Sequence, residues 1–233
     1  MTPRAETGVR PIWGAVGLLT VSLLCAPATA VWAQEVVVLE VAQAQDGVPR
    51  GWTLSENEGT AELALVNASE GRALKLRSNA ASYSLNTEVD IDLTKTPYLE
   101  WQWKVTALPR GGDFRQRATN DQAAQLLVVF SWGVFQKQVI AYIWDTTAPK
   151  GTTRKDPSSA LVPFLTVHTV VVESGDAQRG NWMTERRNVV EDYTQLFGDV
   201  PARVVGIRIQ INSQHTQSQA EAHWRSISFR AHP

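Results

Sequence analysis

The chain has 233 residues, of which 22 are basic, 23 are acidic and one is cysteine, and its formal net charge is −1. It lacks the basic excess that binding to nucleic acid or to an anionic membrane requires, so neither partner is expected. A single cysteine also excludes an internal disulfide and a cysteine-based metal site.

The first 33 residues have the features of a secretory signal peptide. Arg4 and Arg10 supply the positive charge, the apolar run IWGAVGLLTVSLLCA follows, and small residues then allow cleavage after Ala30 or Ala33. The apolar run is shorter than the roughly 20 residues of a membrane-spanning helix. We therefore expect a periplasmic or secreted protein whose mature chain is a single domain, residues 34–233, without a transmembrane segment.

Ten short β-rich runs follow the signal sequence. In chain order they are EVVVLEVA, AELALVN, RALKLRS, SYSLNTEVDIDL, YLEWQWKV, AAQLLVVFSW, QVIAYIWD, LTVHTVVVES, RVVGIRIQI and AEAHWRSISF. Many short strands with turn residues between them are typical of a sandwich or barrel. In GIRIQIN, apolar and polar residues alternate, which indicates a strand of an antiparallel sheet with one solvated face. The sequence therefore predicts an all-β, antiparallel β-sandwich of jelly-roll type.

Two of these runs, two loops and one helical segment add detail to the predicted architecture. LLVVF and VIAYIW are apolar on both faces, which predicts central strands covered on both sides. Residues 109–121 and 146–159 are rich in glycine, proline and polar side chains, and predict mobile loops near a sheet edge. In NVVEDYTQLFGDVP, Asn188 can cap a short helix, Glu191 favours its first turn, and Gly198 ends it.

The stretch LEWQWKV has one apolar and one polar face. Leu99, Trp101, Trp103 and Val105 share the apolar face because side chains alternate along a strand. Tryptophans with aliphatic neighbours on one strand face are more often core than binding platform. We therefore expect Trp101 and Trp103 to hold the sheets together.

The opposite face of that strand carries Glu100, Gln102 and Lys104. Polar residues of similar character alternate in three other segments, and they form one polar face if these strands share a sheet. The residues are Lys75, Arg77, Glu88, Asp90, Asp92, Arg208, Gln210 and Asn212. Such a face is either an ordinary solvated surface or a site where amides and carboxylates bind sugar hydroxyls. In the second case an exposed tryptophan would stack on the sugar ring, and the candidates are Trp52, Trp144, Trp182 and Trp224.

Several charged residues invite an enzymatic interpretation. Glycosidases place two carboxylates about 5 to 10 Å apart, and the acidic candidates are Glu100, Asp113, Asp121, Glu185 and Asp192. Asp121 and Gln122 come directly before an apolar strand and should lie where the preceding loop enters it. There they are expected either to bind a ligand or to cap a turn.

Two adjacent arginines precede the predicted helix. Arg186 and Arg187 are expected either to bind an anionic group of a ligand or to stabilise the fold, with Asp192 as an ion-pair partner. The four histidines show no zinc-binding spacing, and no phosphate-binding or dinucleotide motif is present, so neither a metal nor a cofactor is expected.

The motifs together resemble a known bacterial family. LEWQWKVTALPRGGD, DQAAQLLVVF, YIWD, a tryptophan followed by ERRNVVEDYTQLFG, and PARVVGIRIQINSQHT are similar to the family called domain of unknown function 3047. The resemblance runs from about Trp52 to Phe229 and implies a secreted or periplasmic β-sandwich with no assigned activity. Relatives carry an acidic Asp-x-Asp segment that could suit a hard cation, whereas this chain has Asn212, Gln214 and Thr216. We therefore expect weak cation binding or none.

Three functions are compatible with these observations. The first is a non-catalytic module that binds a glycan or another envelope component through the polar face, the two loops, Trp144 and the Arg186–Arg187 pair. The second is a hydrolase that uses carboxylates to cleave glycans, and the third is an interaction module of an envelope assembly.

Overall fold

Thirteen β-strands and one helix form the described part of the chain. The computed structural model describes residues 1–2, 34–41, 47–68, 71–132, 136–156, 165–201 and 203–233. The predicted signal peptide, apart from residues 1–2, lies outside the described residues. The strands are β1 Glu35–Glu40, β2 Thr53–Glu58, β3 Glu62–Ala68, β4 Gly71–Asn79, β5 Ser82–Ile91, β6 Tyr98–Ala107, β7 Ala124–Trp132, β8 Gln136–Asp145, β9 Thr153–Asp156, β10 Leu165–Ser174, β11 Met183–Asn188, β12 Val204–Asn212 and β13 Gln219–Arg230, and the helix is α1 Val189–Phe197. No helix among the described residues is long and apolar enough to cross a membrane.

All ten strands expected from the sequence are confirmed. Three further strands, β2, β9 and β11, have the sequences TLSENE, TRKD and MTERRN. They are short and polar, and they lie at or beside sheet edges, where one neighbouring strand suffices to hold them. Their composition carries no strand signal, which is why the sequence did not predict them.

The strands form two sheets, which we call sheet I and sheet II. Sheet I has the order β11-β6-β13-β4-β3, and β1 also pairs with β13. The long strand β13 pairs with β4 along its first half and with β1 along its second half, while β6 follows its other side. Sheet II has the order β2-β5-β12-β7-β8-β10-β9 and is antiparallel except for the parallel pair β8–β10. The protein is thus an all-β sandwich of jelly-roll type with one short helix.

The inner faces of the two sheets form one aromatic core. Trp101 and Trp103 are completely buried, as the sequence predicted, and their rings meet edge to face at 5.5 Å. Trp101 stacks on Tyr142 of sheet II at 5.3 Å, and Trp103 contacts Trp144 of sheet II at 6.0 Å. Trp224 of β13 adds a further ring 5.4 Å from Trp103. Because both sheets supply rings to this cluster, it joins them directly.

The outer face of sheet II carries a second, smaller apolar cluster. Phe114, from the loop between β6 and β7, packs there with Ile143 and Val171. Asp145 at the end of β8 holds the loop in place, since its carboxylate accepts hydrogen bonds from the backbone N–H groups of Phe114 at 2.9 Å and Ala148 at 2.7 Å. The central strand β8 is therefore covered on both faces, as predicted. The loop 109–121 lies on this face rather than near a free edge, and residues 157–159 of the second loop are outside the described residues.

The helix begins and ends as its sequence predicts. The side chain of Asn188 accepts hydrogen bonds from the backbone of Val190 and Glu191, and Gly198 adopts the left-handed conformation at the C-terminal end. Val189 and Tyr193 are buried beneath the helix, so one face packs against the sandwich.

Removal of the Trp103 ring should test the role of this core. We expect Trp103→Ala to lower the free energy of unfolding by about 3–5 kcal/mol, because it leaves a cavity among three aromatic rings. Each kcal/mol should lower the thermal midpoint by about 2–4 °C in a chain of this size. Trp182→Ala, at a half-buried surface tryptophan, is the control and should cost less than half as much. Equal losses for the two variants would contradict a core that joins the sheets.

Candidate functional site

The ten residues that the sequence predicted as ligand contacts do not form one site. They lie in four parts of the structure: the outer face of sheet I, the loop between β6 and β7 with the start of β7, the core, and the junction of β11 and α1. In that order they are Glu100, Gln102, Lys104 and Arg186; Asp113, Asp121 and Gln122; Trp144; and Arg187 and Asp192.

The single polar face expected from the sequence does not exist. β4 and β6 belong to sheet I, whereas β5 and β12 belong to sheet II. Glu100 and Lys75 therefore lie on the opposite outer surface from Glu88 and Gln210. Alternation along a strand shows which residues share its face, but it does not show which strands share a sheet.

Polar residues on the outer face of sheet I are largely paired with one another. Glu100 accepts hydrogen bonds from Arg186 and, at 3.0 Å, from Arg230. Gln102 donates to Thr184 at 3.3 Å, and the Lys104 ammonium lies 4.9 Å from the centre of the Trp182 ring. Such pairing is typical of side chains that stabilise a fold. Contact of these residues with a ligand stays a prediction.

Trp144 is a core residue rather than an exposed stacking platform. It has no exposed surface, and its Nε1 donates to the carbonyl oxygen of Gly175 at 3.1 Å. It faces inward because it follows Ile140 and Tyr142 in the alternation of β8. Trp52 and Trp224 are also buried, so Trp182 alone of the four stacking candidates is half-exposed.

Arg187 and Asp192 form the ion pair that the sequence allowed. Arg187 Nε donates to Asp192 at 2.8 Å, and the Tyr142 hydroxyl donates to the same carboxylate at 2.6 Å. Burial raises the pKa of Tyr142 well above its ordinary value, so the hydroxyl remains a donor. Arg186 points to the opposite face of β11, and the two arginines therefore do not form a fork.

Asp113 organises its own loop. Its carboxylate accepts hydrogen bonds from the backbone N–H and the guanidinium of Arg115 at 2.8–3.0 Å. The Arg115 guanidinium beside it lowers the pKa of Asp113 to about 2. The Asp113 side chain thus fixes the loop that places Phe114 over the outer face of sheet II.

Asp121 lies completely buried beneath the loop that follows β12. Its carboxylate accepts hydrogen bonds from the backbone and hydroxyl of Thr216 at 2.6 and 2.7 Å, from the His215 backbone at 3.3 Å, and from Asn212 Nδ2 at 3.2 Å. His215 Nδ1 lies 3.2 Å from the same carboxyl group, so the buried side chain has the polar partners that a group without solvent requires. Asp121 therefore fixes the loop and Asn212 in one arrangement.

Asn212 links this buried carboxylate to a network of side-chain amides. Its Oδ1 accepts from the backbone of Gln122 at 2.9 Å and from Gln125 Nε2 at 2.7 Å, and its Nδ2 also donates to the Asn120 carbonyl at 2.8 Å. Gln122 Nε2 donates to Asn120 Oδ1 at 3.0 Å. The orientation of each linked amide is consequently set by its neighbours.

These amides line a small pocket on the outer face of sheet II, which we call the amide pocket. It has a volume of about 120 Å³. Thr169 and Asp156 form one side, and Thr169 Oγ1 donates to Asp156 at 3.0 Å. The amide wall consists of Asn120, Gln122, Gln125, Gln210 and Asn212, and the apolar wall of Leu127, Ala141 and Val167.

Sequence reasoning found only part of this pocket. It predicted Gln122 as a ligand contact, and it named Gln210 as a member of a polar face and Asn212 as a member of that face and of the segment compared with a possible cation site. Gln125 was missed, although a lone amide inside the apolar run AAQLLVVF is a usable signal, because a buried polar group needs a partner. Asp156 and Thr169 come from β9 and β10, whose positions beside β8 are set by the sheet topology.

The segment after β12 shows no arrangement for a cation. Asn212 uses both ends of its amide in protein hydrogen bonds, and Thr216 donates to Asp121. Within the described residues, no group of three or more histidine, cysteine or acidic side chains is placed to hold a metal ion.

Comparison with known proteins gives a family match and several structural similarities. The model of the family described as "Protein of unknown function (DUF3047)" matches residues 50–228. The family 11 carbohydrate-binding module of cellulosomal cellulase Lic26A-Cel5E of Clostridium thermocellum is 10 % identical with a TM-score of 0.41, over 80 % of this chain and 94 % of that chain. A cellulase derived from Cel12A of Rhodothermus marinus is 10 % identical with a TM-score of 0.45, over 84 % of this chain and 100 % of that chain.

A phage protein is similar over part of its length. The enzymatically active domain of tailspike protein 4 of bacteriophage CBA120 is 12 % identical with a TM-score of 0.40 over 78 % of this chain, which spans 19 % of the tailspike chain. No curated protein matches the sequence significantly. TM-scores of 0.40–0.45 at 10–12 % identity give no information about ligand or activity.

Loss of the Asp121 carboxylate should destabilise the protein. We expect Asp121→Ala to lower the free energy of unfolding by about 3 kcal/mol or more, because each buried donor left unpaired costs about 1–3 kcal/mol. Urea denaturation measures the loss. Asp90→Ala is the matched control, since Asp90 is an exposed residue whose ion pair with Arg203 is worth about 0–1 kcal/mol. An equal loss in the two variants would show that Asp121 does not organise the loop.

Proposed function

Because the chain belongs to the DUF3047 family of proteins of unknown function, its role has to follow from its own geometry, and we propose that it binds a neutral glycan in the amide pocket. The observation that carries the proposal is a wall of five side-chain amides beside an apolar wall. Each amide offers both a donor and an acceptor, as each sugar hydroxyl does. The aliphatic residues beside them, Leu127, Ala141 and Val167, suit the C–H face of a sugar ring.

The charge of the pocket favours a neutral ligand. Among the described residues that line it, Asp156 alone is charged. Its carboxylate is already bound by Arg154, at 3.0 Å from Nε, and by Thr169. The described lining residues include no basic side chain to pair with a uronate, sulfate or phosphate, so an anionic glycan would gain nothing from charge there.

Several side chains of the amide pocket are held in position before a ligand binds. Gln122, Gln125 and Asn212 are held by hydrogen bonds to other amides, so little side-chain entropy is lost when they contact a ligand. The carboxamide of Gln210 makes no side-chain hydrogen bond to any described residue, which leaves its donor and acceptor available.

The size of the pocket limits how much ligand it holds. Its volume of about 120 Å³ is below the roughly 300–1,000 Å³ of sites for drug-sized molecules. None of the described residues that line it is aromatic. The pocket therefore suits one sugar ring, such as the end or a side branch of a chain, rather than the flat surface of a polysaccharide.

Two alternatives have less support. Asp156, the acid that lines the amide pocket, is held by Arg154 and Thr169. Asp121, beneath the neighbouring loop, is completely buried and accepts hydrogen bonds from Asn212, His215 and Thr216, so neither acid is well placed to protonate a bound sugar. An assembly surface would need a contiguous apolar patch, but beyond Met1 the large exposed hydrophobics of the described residues are Val37, Val48 and Val200, on three separate segments.

We place this activity in the periplasm or outside the cell. The support is the signal-like sequence of residues 1–33, with two basic residues, an apolar run and small residues at the cleavage region. Glycans of the envelope or the medium would be the ligands available there.

Neutral oligosaccharides should stabilise the purified protein. Cellohexaose, xylohexaose, maltohexaose and N-acetylchitohexaose are suitable probes, and one of them at about 100 times its dissociation constant should add roughly 2.7 kcal/mol to the free energy of unfolding. The corresponding rise in midpoint is about 2–4 °C per kcal/mol, and thermal denaturation measures it.

A pair of glutamine variants assigns the binding to the pocket. Gln210→Leu should weaken binding about tenfold, the loss expected for one or two hydrogen bonds of about 0.5–1.5 kcal/mol each. Gln102→Leu, the same change on the outer face of sheet I, should leave binding unchanged. The proposal fails if no probe binds, or if the two variants bind a probe equally well.

A further inference from the structure

A second cleft lies at the surface where β4 and β6 end and β13 begins. Its volume is about 400 Å³, which falls within the roughly 300–1,000 Å³ of small-molecule sites, whereas the amide pocket has about 120 Å³. The two share none of the described residues that line them. We call this second site the arginine cleft, and its polar lining consists of Asn79, Arg110, Gln217, Ser218 and Gln219.

Arg110 supplies the one charge among the described residues that line the arginine cleft. Its side chain is exposed, and no described residue accepts a hydrogen bond from its guanidinium or forms an ion pair with it. In contrast, Arg77, Arg186 and Arg230 on the outer face of sheet I each pair with a glutamate. A guanidinium keeps its charge and its five N–H donors, so the Arg110 side chain is available to an anionic ligand.

The backbone of Arg110 is fixed by the loop that follows β12. The Arg110 N–H group donates to Ser218 Oγ at 3.1 Å. The Ser218 hydroxyl lies 2.7 Å from the hydroxyl of Thr216, which donates to the buried Asp121. The point from which the guanidinium extends is therefore set before a ligand binds, so little backbone entropy is lost on binding.

Two unusual backbone conformations border the cleft. Ala80 and Gln217 are the two described residues other than glycine with positive φ, and both have φ of 48°. Residues with a side chain seldom adopt this left-handed region. Ala80 follows Asn79, Gln217 precedes Ser218, and the Ala80 N–H donates to the Ser218 carbonyl oxygen at 2.8 Å. Strained residues of this kind cluster at ligand-binding sites, and here they adjoin or form the lining of one cleft.

The remaining lining suits a hydroxylated ring. The carboxamides of Asn79 and Gln219 make no side-chain hydrogen bond to a described residue, so the donor and acceptor of each can meet sugar hydroxyls. Ala107 and Leu108 add an apolar surface that suits the C–H face of the ring. The cleft thus combines one cation with neutral polar groups and a small apolar area.

The charged residues next along β4 and β13 are already paired. Arg77 forms an ion pair with Glu62 at 3.6 Å, and Glu221 forms one with Lys75 at 3.7 Å. The Arg110 guanidinium therefore provides the net charge of the cleft, and its planar fork matches the two oxygens of a carboxylate. A phosphate monoester would carry a second negative charge that no described lining residue matches.

We propose that the arginine cleft binds an acidic sugar, a hexuronate, whose carboxylate pairs with Arg110. Its hydroxyls contact the carboxamides of Asn79 and Gln219, and its ring lies against Leu108. This site is additional to the amide pocket and does not rest on it, because the two sites take sugars of different charge.

Binding of simple hexuronates tests the proposal. The probes are D-glucuronate and D-galacturonate, with D-glucose and D-galactose as neutral counterparts, and nuclear magnetic resonance titration gives the dissociation constants. The Nε–H resonance of Arg110 and the NH₂ resonances of Asn79 and Gln219 should shift together with a hexuronate, and the neutral sugars should leave them in place.

A matched pair of arginine variants assigns the carboxylate to Arg110. Arg110→Gln should weaken hexuronate binding about tenfold or more, because hydrogen bonds between charged groups are the stronger ones. Arg117→Gln is the control, since Arg117 is an exposed arginine of the same loop that does not line the cleft, and its loss changes the net charge equally. The thermal midpoint of Arg110→Gln should equal that of the unmodified protein, because the side chain is exposed and has no partner among the described residues.

Crossed measurements keep the two sites distinct. Arg110→Gln should bind neutral oligosaccharides as the unmodified protein does, and Gln210→Leu should bind hexuronates as the unmodified protein does. The proposal is overturned if neither hexuronate binds, if the neutral sugars bind the cleft equally tightly, or if Arg110→Gln and Arg117→Gln bind alike. None of these results would affect the assignment of neutral glycans to the amide pocket.

Discussion

A buried carboxyl group without contact with water needs hydrogen-bond donors, and Asp121 receives them from Asn212 at the end of β12 and from His215 and Thr216 in the segment that follows. Those bonds fix Asn212, whose amide in turn orients Gln122 and Gln125. The amide pocket is therefore lined by the outermost residues of a hydrogen-bond network that begins at the buried Asp121. Its donors and acceptors are set by covalent and hydrogen-bonded geometry rather than by a ligand.

The sandwich offers two different chemical environments along one strand, β10. Thr169 faces outward and lines the amide pocket, whereas the β-bulge places Glu173 opposite the core residue Trp144. The outer surface is solvated and suits hydrogen bonding to hydroxyls. The inner edge is enclosed by tryptophans, and burial there raises the pKa of Glu185.

Local sequence patterns were sufficient to predict most of the fold but little of the candidate site. Alternation and capping are encoded by neighbouring residues, so the strands, the buried Trp101 and the helix at Asn188 could be predicted from the sequence. Strand order depends on contacts between distant segments, so the assignment of Gln210 and Glu100 to opposite surfaces could not. The bulge that turns Glu173 inward also leaves no local signal. Trp144 was misjudged because its strand is apolar on both faces, which hides the direction of each ring.

Nuclear magnetic resonance of the side-chain amide groups tests the central claim most directly, because the amide pocket is defined by those groups. During titration with a neutral oligosaccharide, the NH₂ resonances of Gln125, Gln210 and Asn212 should shift together and saturate, while that of Gln102 on sheet I stays in place. Shifts confined to Gln102 and its surroundings, or none in the pocket at saturating ligand, would contradict the account.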